Sequence, residues 1–267
     1  MNKYEKRMLA ILEEGKANHK ILAVKAEFEA EGTRVDELLR LLEIARRAGV
    51  KVAIKIGGCE AVRDLIECRI YGADYIIAPM IETPYALTKY IAAKDKVYPR
   101  DEQDEVSFLF NVETRETFDH LEAMAKVAKE GRVGMVFGRV DFAGSMGHER
   151  DFVNSDEMRG YVKRVGEVCR DNDFELVVGG GVSPDSIPLL SSILSARLDR
   201  FETRKVIFDA TVVQDPAAAR AGMELAIEFE LLWLKNKRDY YQTIASEDAP
   251  RIAMMEKRQQ GAMKVAA

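Results

Sequence analysis

The chain has 267 residues, 47% hydrophobic and 32% charged, with 40 Lys and Arg against 45 Asp and Glu for a formal net charge of −5. Such a composition suits one large α/β domain or two small ones and argues against disorder. The acidic balance argues against a sequence-independent grip on nucleic acid, and no apolar run approaches the ~20 residues of a membrane span.

The first twenty residues, MNKYEKRMLAILEEGKANHK, carry acidic residues through their apolar face and lack a small-residue cleavage site, so they do not read as a signal peptide. Three cysteines, Cys59, Cys68 and Cys169, show neither CxxC spacing nor even pairing, and a reduced, cytoplasmic protein is expected. Strand-like runs then alternate with amphipathic stretches: 21–29, 50–57, 75–81, 106–113, 133–141, 174–182 and 205–210. Most are nearly continuous in apolar residues, as parallel strands buried on both faces should be. Between them, Thr33-Arg-Val-Asp36 reads as a capping box, and Thr83-Pro84, Ser183-Pro184 and Asp215-Pro216 each place a cap residue before a first-turn proline.

Repeated βα units leave an open doubly wound sheet or a (β/α)8 barrel. Neither a GxGxxG after the first strand nor a Walker A motif is present. Polar residues recur at strand carboxyl ends instead: Glu27 and Glu29, Lys55, Glu82, Glu113, Asp141 and Gly179-Gly180-Gly181. Only a barrel brings such ends to one mouth. The expected fold is a TIM-type barrel over residues 1–215, with seven legible strands and one irregular or missing.

From Pro216 to about Ala245 the pattern is helical, and a second helical piece covers Pro250–Lys264. Met223, Ile227, Leu231 and Leu234 mark one face, while Leu225, Phe229, Leu232 and Trp233 load others. One barrel helix needs a single buried stripe. Residues 216–267 are therefore read as a helical extension covered by a partner subunit of a homo-oligomer, or by the second helix folding back.

The sharpest local signal is a pair of strand-end carboxylates, Glu113 in Phe-Asn111-Val-Glu113-Thr and Asp141 in Gly138-Arg139-Val-Asp141-Phe-Ala-Gly-Ser-Met-Gly147. On adjacent staves they suit Mg2+ or Mn2+, which take oxygen ligands and keep positions for water and substrate. The alternative is that each merely caps the helix that follows.

These two segments, with Gly72-Ala-Asp-Tyr-Ile-Ile-Ala-Pro-Met80, resemble the HpcH/HpaI aldolase and citrate lyase β-subunit superfamily over roughly residues 21–215. The resemblance implies a barrel whose Glu113 and Asp141 hold a divalent metal that binds a 2-oxo acid and stabilises its enolate. It places Asn111, where these aldolases often carry Gln, in the same pocket. Two positions depart from the pattern. Lys55 stands where the family has an arginine against the pyruvoyl oxygen, keeping the charge without the bidentate fork. No histidine falls near Glu27-Phe-Glu29, where the aldolase branch has its catalytic one, and that acidic strand end is more like the lyase branch. Glu29 or Glu27 can serve as the base in its place, or simply pair with Lys25 or Lys55.

Lys55 admits three roles: electrostatic binding of substrate, a structural ion pair, or a Schiff base, the last disfavoured by nearby carboxylates. Gly179, Gly180 and Gly181 lead into a capped turn and form either an anion site for a phosphorylated substrate or a tight βα turn. Arg139 is positioned to neutralise an acidic substrate or to pair with Glu113. His148 is a weaker candidate for the mouth; His19, His120 and Cys59 are read as structural or surface residues. The expected function is a metal-dependent carbon–carbon lyase working through a pyruvate-like enolate. The alternatives are citrate-lyase-like or malyl-CoA-like thioester cleavage, and a barrel that binds a metabolite without turnover.

Overall fold

A computed structural model describes residues 1–265, with side-chain burial given for residues 1–261. Helix α1 (Lys3–Asn18) precedes the first strand, its N-terminus closed reciprocally by Asn2 and Glu5. Then follow β1 (Ile21–Glu27), α2 (Val35–Ala48), β2 (Lys51–Lys55), α3 (Val62–Tyr71), β3 (Tyr75–Ala78) and α4 (Pro84–Val97). The middle of the chain forms β4 (Ser107–Val112), α5 (Arg115–Asp119), α6 (Leu121–Gly131), β5 (Gly134–Gly138), α7 (Arg139–Ser145), α8 (Asp156–Asn172) and β6 (Leu176–Gly179). The last elements are α9 (Ile187–Ile193), β7 (Arg200–Glu202), β8 (Val206–Asp209), α10 (Pro216–Glu247) and α11 (Ala249–Val265).

Eight strands close into a barrel in sequence order. β1 to β7 run parallel, but β8 is antiparallel to both of its neighbours, β7 and β1. The stave missing from the sequence reading is β7, three residues long and charged at both ends, which gives no apolar run to detect. It joins β8 through Thr203-Arg204-Lys205. A loop that short cannot carry a crossover helix, so the last two staves form a hairpin.

The reversal of β8 decides where the C-terminal helix goes. β8 starts at the mouth and ends at the opposite rim, so α10 climbs back toward the mouth. Helix α1 descends beside it: His19 Nδ1 meets the Ala218 carbonyl at 3.0 Å, Arg7 pairs with Glu228 at 2.7 Å, and Asn2 donates to Asn236 Oδ1 at 2.6 Å. The two helices together complete the outer layer next to β1 and β8.

Alternation along the strands builds the interior in layers. Ala23, Ala53, Tyr75, Ile77, Leu109, Val136, Val177 and Ile207 fill the barrel. Two residues further along β1, β2 and β4 the same inward face carries Lys25, Lys55 and Asn111, and Glu202 of β7 joins them at the cavity. A larger apolar cluster lies between the barrel and the helices. Residues such as those of β3 and β6 are buried on both faces, which is why they read as unbroken apolar runs.

The cap readings hold at Thr83, whose hydroxyl accepts from the Ala86 N–H, and at Asp215, which accepts from Ala217 and Ala218. At α2 the box lies one residue later than expected. Glu37 accepts from the Arg34 N–H, while Thr33 donates to the Glu27 carbonyl and ties the loop to β1. Of the apolar surplus on α10, Met223, Phe229 and Trp233 are buried within the chain. Ile227, Leu231 and Leu234, on one face, remain 58%, 49% and 53% exposed. Helix α11 does not cover them, and its own Ile252 and Met255 are exposed. No helix among the described residues is long and apolar enough to cross a membrane.

Candidate active site

The carboxyl ends of the parallel strands surround a cavity of about 400 Å³. Its wall holds Lys25, Glu27 and Glu29 of the β1 end, Lys55 of β2, Asn111 and Glu113 of the β4 end, Asp141 of α7 and Glu202 of β7. Gly179, Gly180 and Gly181 form another side, and Arg150, Arg204, Ile227 and Glu230 stand around the rim. Six carboxylates and four cationic side chains thus face one small space.

Glu113 is 2% exposed and held on both oxygens. Oε1 accepts from the Met80 N–H at 2.8 Å and Oε2 from Asn111 Nδ2 at 2.6 Å. Met80 follows Pro79 and takes a left-handed backbone, φ 52°, which aims that N–H at the carboxylate. Burial pushes the Glu113 carboxyl above its ordinary range; Lys55, the Met80 N–H and Asn111 oppose the shift, and nearby Asp141 adds to it. Lys55 Nζ bridges the mouth, 3.3 Å from Glu29 and 3.7 Å from Glu113. Lys55 is thus tied to carboxylates of two different staves.

Asp141 does not end a strand. β5 stops at Gly138 and the chain turns into α7, so Asp141 projects from the first helical turn, exposed at the rim. It still lines the same cavity as Glu113. Asn111 donates to Glu113 with Nδ2 and leaves Oδ1 buried without a partner. Two carboxylates and an orphaned amide oxygen make an all-oxygen donor set that fits Mg2+ or Mn2+. Among the described residues no cluster of three or more His, Cys, Asp or Glu is arranged to hold a metal.

On the opposite wall Lys25 is buried between two glutamates, with Nζ 2.5 Å from Glu202 Oε1 and 3.3 Å from Glu27 Oε1. Burial alone would lower the pKa of this lysine, but Glu202 and Glu27 hold it above the ordinary value. Burial likewise opposes ionisation of Glu27, and Lys25, Arg204 and Lys55 outweigh it, keeping the carboxyl below its ordinary range. Glu202, Arg204 and Arg150 were not singled out from the sequence. The alternation Arg200-Phe201-Glu202 was the one available signal, and three residues are too few to read as a strand.

Arg139 is the clearest correction. It is fully buried behind the wall, with no contact to the cavity or to Glu113. It donates to the Gly179 and Val153 carbonyls, Asn154 Oδ1 and Ser186 Oγ, tying the β5, β6 and 150–154 loops together. Burial lowers its pKa to about 10. The glycines have a packing explanation of their own: a Cβ on Gly180, at φ 79°, would stand 2.6 Å from the backbone nitrogens of Arg139 and Val140. One on Gly179 would press on Glu202. The turn that follows is three 3-10 residues, Pro184–Ser186, and then the seven-residue α9.

His148 is exposed and stacks on Phe152 at 3.9 Å, and His120 bonds the Glu116 carbonyl on the outer surface. Cys59 is half-buried in the loop after β2 and lines no part of this cavity.

Fold and mouth together define a (β/α) barrel with a carboxylate-lined site at its strand ends. The profile of the HpcH/HpaI aldolase/citrate lyase family matches residues 23–179, more than half of the chain, and the chain belongs to that family. Among solved structures it is similar to an HpcH/HpaI aldolase from Desulfitobacterium hafniense DCB-2, at 13% identity and TM-score 0.59, covering 81% of this chain and 87% of that one. It is also similar to the citrate synthase SbnG, at 16% identity and TM-score 0.58, covering 87% and 90%. An HpcH/HpaI aldolase/citrate lyase family protein from Burkholderia cenocepacia J2315 matches at 16% and 0.58, covering 82% and 89%. At these identities the likeness bears on the fold. No curated protein matches the sequence significantly.

Proposed function

We propose that this protein is a divalent-metal-dependent carbon–carbon lyase or aldolase that handles a 2-oxo acid through its enolate. The observation that carries the reading is the grouping of Glu113, Asp141, the unpartnered Asn111 Oδ1 and Lys55 in one mouth. Glu113, Asp141 and Asn111 would hold Mg2+ or Mn2+. A divalent ion there supplies Lewis-acid stabilisation for charge that develops on the 2-oxo oxygen.

The residues of this chain do the rest. Lys55 places a positive charge beside the same oxygen, as a preorganised electrostatic group. Asn111 and the Met80 N–H fix the Glu113 carboxylate so that it does not rotate away when the mouth fills. The apolar layer beneath, with Ile77 and Val136 at the cavity floor, keeps water from below. The glycine wall is accounted for by close backbone approach, so an unphosphorylated 2-oxo acid is the simpler substrate.

Exchange of pyruvate methyl protons for deuterium, followed by NMR with added Mg2+ or Mn2+, tests the reading. Metal-dependent exchange that disappears in Glu113→Gln and Asp141→Asn is the expected result. Exchange independent of metal and of both variants, or none in the wild type, would overturn it.

A further inference from the structure

Aldol cleavage needs a proton acceptor at the hydroxyl of the substrate, and none of the three histidines lines the mouth. The acceptor on this wall has to be a carboxylate. Glu113 and Asp141 are the oxygen donors toward the cation. Glu29 is paired with Lys55, Glu27 lies between Lys25 and Arg204, and Glu230 stands on α10 at the rim, half-buried.

Glu202 differs from all of these. Its Oε1 accepts from Lys25 Nζ, while Oε2 is buried without a hydrogen-bond partner. The residue is 6% exposed and lines the cavity. A buried carboxylate oxygen without a donor is unfavourable and calls for one. Its position supplies the direction. Glu202 ends β7, and Glu113 follows β4, three staves away around an eight-stave barrel, so the two stand on facing walls. A 2-oxo acid held at Glu113 and Asp141 would cross the cavity toward the Glu202 wall.

We infer that Glu202 is the catalytic residue that accepts the proton of the substrate's 4-hydroxyl, an inference that rests on the enolate reading above. In the cleavage direction the O–H proton passes to Glu202 Oε2 as the C3–C4 bond breaks. The bond's electron pair moves into the enolate, and C4 leaves as the aldehyde carbon. The enolate takes a proton at C3 to give the methyl group, and Glu202 returns its proton to solvent, so protons balance. Lys25 fixes Oε1 and leaves Oε2 as the reactive oxygen.

The test compares wild type with Glu202→Gln, whose amide oxygen still accepts from Lys25 and so preserves the fold. Two readouts are taken with Mn2+: binding of oxalate, which mimics the enolate, and release of pyruvate from 4-hydroxy-2-oxopentanoate. Glu202→Gln is expected to bind oxalate within about threefold of wild type and to lose about a hundredfold or more in cleavage, the usual worth of a general base. Formate, but not chloride, should restore cleavage to Glu202→Ala. Cleavage by Glu202→Gln near the wild-type rate, or loss of oxalate binding in step with cleavage, would overturn the role. A wild type that neither binds oxalate nor cleaves would overturn the enolate reading itself, and the role with it.

Discussion

Lys25 Nζ lies 2.5 Å from Glu202 Oε1 although the two residues stand on strands separated by β8. Inward side chains of alternate staves share a layer of the barrel interior, so the lysine reaches past β8 to its partner. Lys25→Met should leave Glu27 and Glu202 buried without their shared cation. Breaking a buried pair from one side costs about 3–5 kcal/mol. Urea unfolding at neutral pH should show a loss of that order, and a variant as stable as wild type would contradict the pairing.

Glu113→Gln separates stability from function. The glutamine oxygen can still accept from Met80, and its NH2 can donate to Asn111 Oδ1, now without a partner, once that amide turns over. The variant should fold and fail to bind Mn2+, measured by calorimetry. The sign with pH follows from burial, which raises the Glu113 pKa above its unfolded value. The metal-free wild type therefore loses stability as pH rises through the folded pKa, and the variant does not. Melting temperatures of the two, metal-free, should diverge in favour of the variant as pH rises above the ordinary carboxylate range. A constant gap would contradict the assignment.

Gly180→Ala tests the packing account of the glycine wall. The added methyl would meet two backbone nitrogens at 2.6 Å from a left-handed backbone. A destabilisation of roughly 1–3 kcal/mol or more is expected from strain alone. Gly144→Ala, with nothing within 4 Å of the new methyl, is the matched control and should unfold close to wild type.

If Lys55 acts as a fixed charge, Lys55→Arg should retain measurable activity and Lys55→Met should lose at least tenfold more in kcat/KM. Borohydride reduction in the presence of pyruvate should leave no adduct on Lys55. A mass increase there would replace electrostatic binding with Schiff-base chemistry.

The exposed Ile227–Leu231–Leu234 stripe leads us to expect a homo-oligomer. Each large apolar side chain left in water forgoes about 1.5–3 kcal/mol relative to burial. Leu231→Ser with Leu234→Ser should shift the sedimentation coefficient toward the monomer without lowering helix content. Truncation at residue 214 would be a poor test, because it removes Met223, Phe229 and Trp233 from the chain's own core. A wild type already monomeric at micromolar concentration would refute the expectation.

The barrel and the strand end before Glu113 were legible in the sequence because each has a local cause; Asp141 was expected at a strand end and stands instead in the first turn of α7. Strands buried on both faces must be continuously apolar, βα units need caps before their helices, and a carboxylate just past an apolar run marks a strand end. Lys55 was marked by its place at a strand end, and Asn111 came only from the family resemblance. The rest depended on contacts between distant parts of the chain. Arg139 sits two residues before Asp141 yet points away from the mouth, because the helix starts at Arg139 and turns successive side chains by about 100°. β7 was too short to show a period, and nothing local says that β8 runs backwards. That reversal carries α10 up to the mouth and sets α1 against it. Local pattern decides which residues face inward; which inward residues meet is decided by how the staves close.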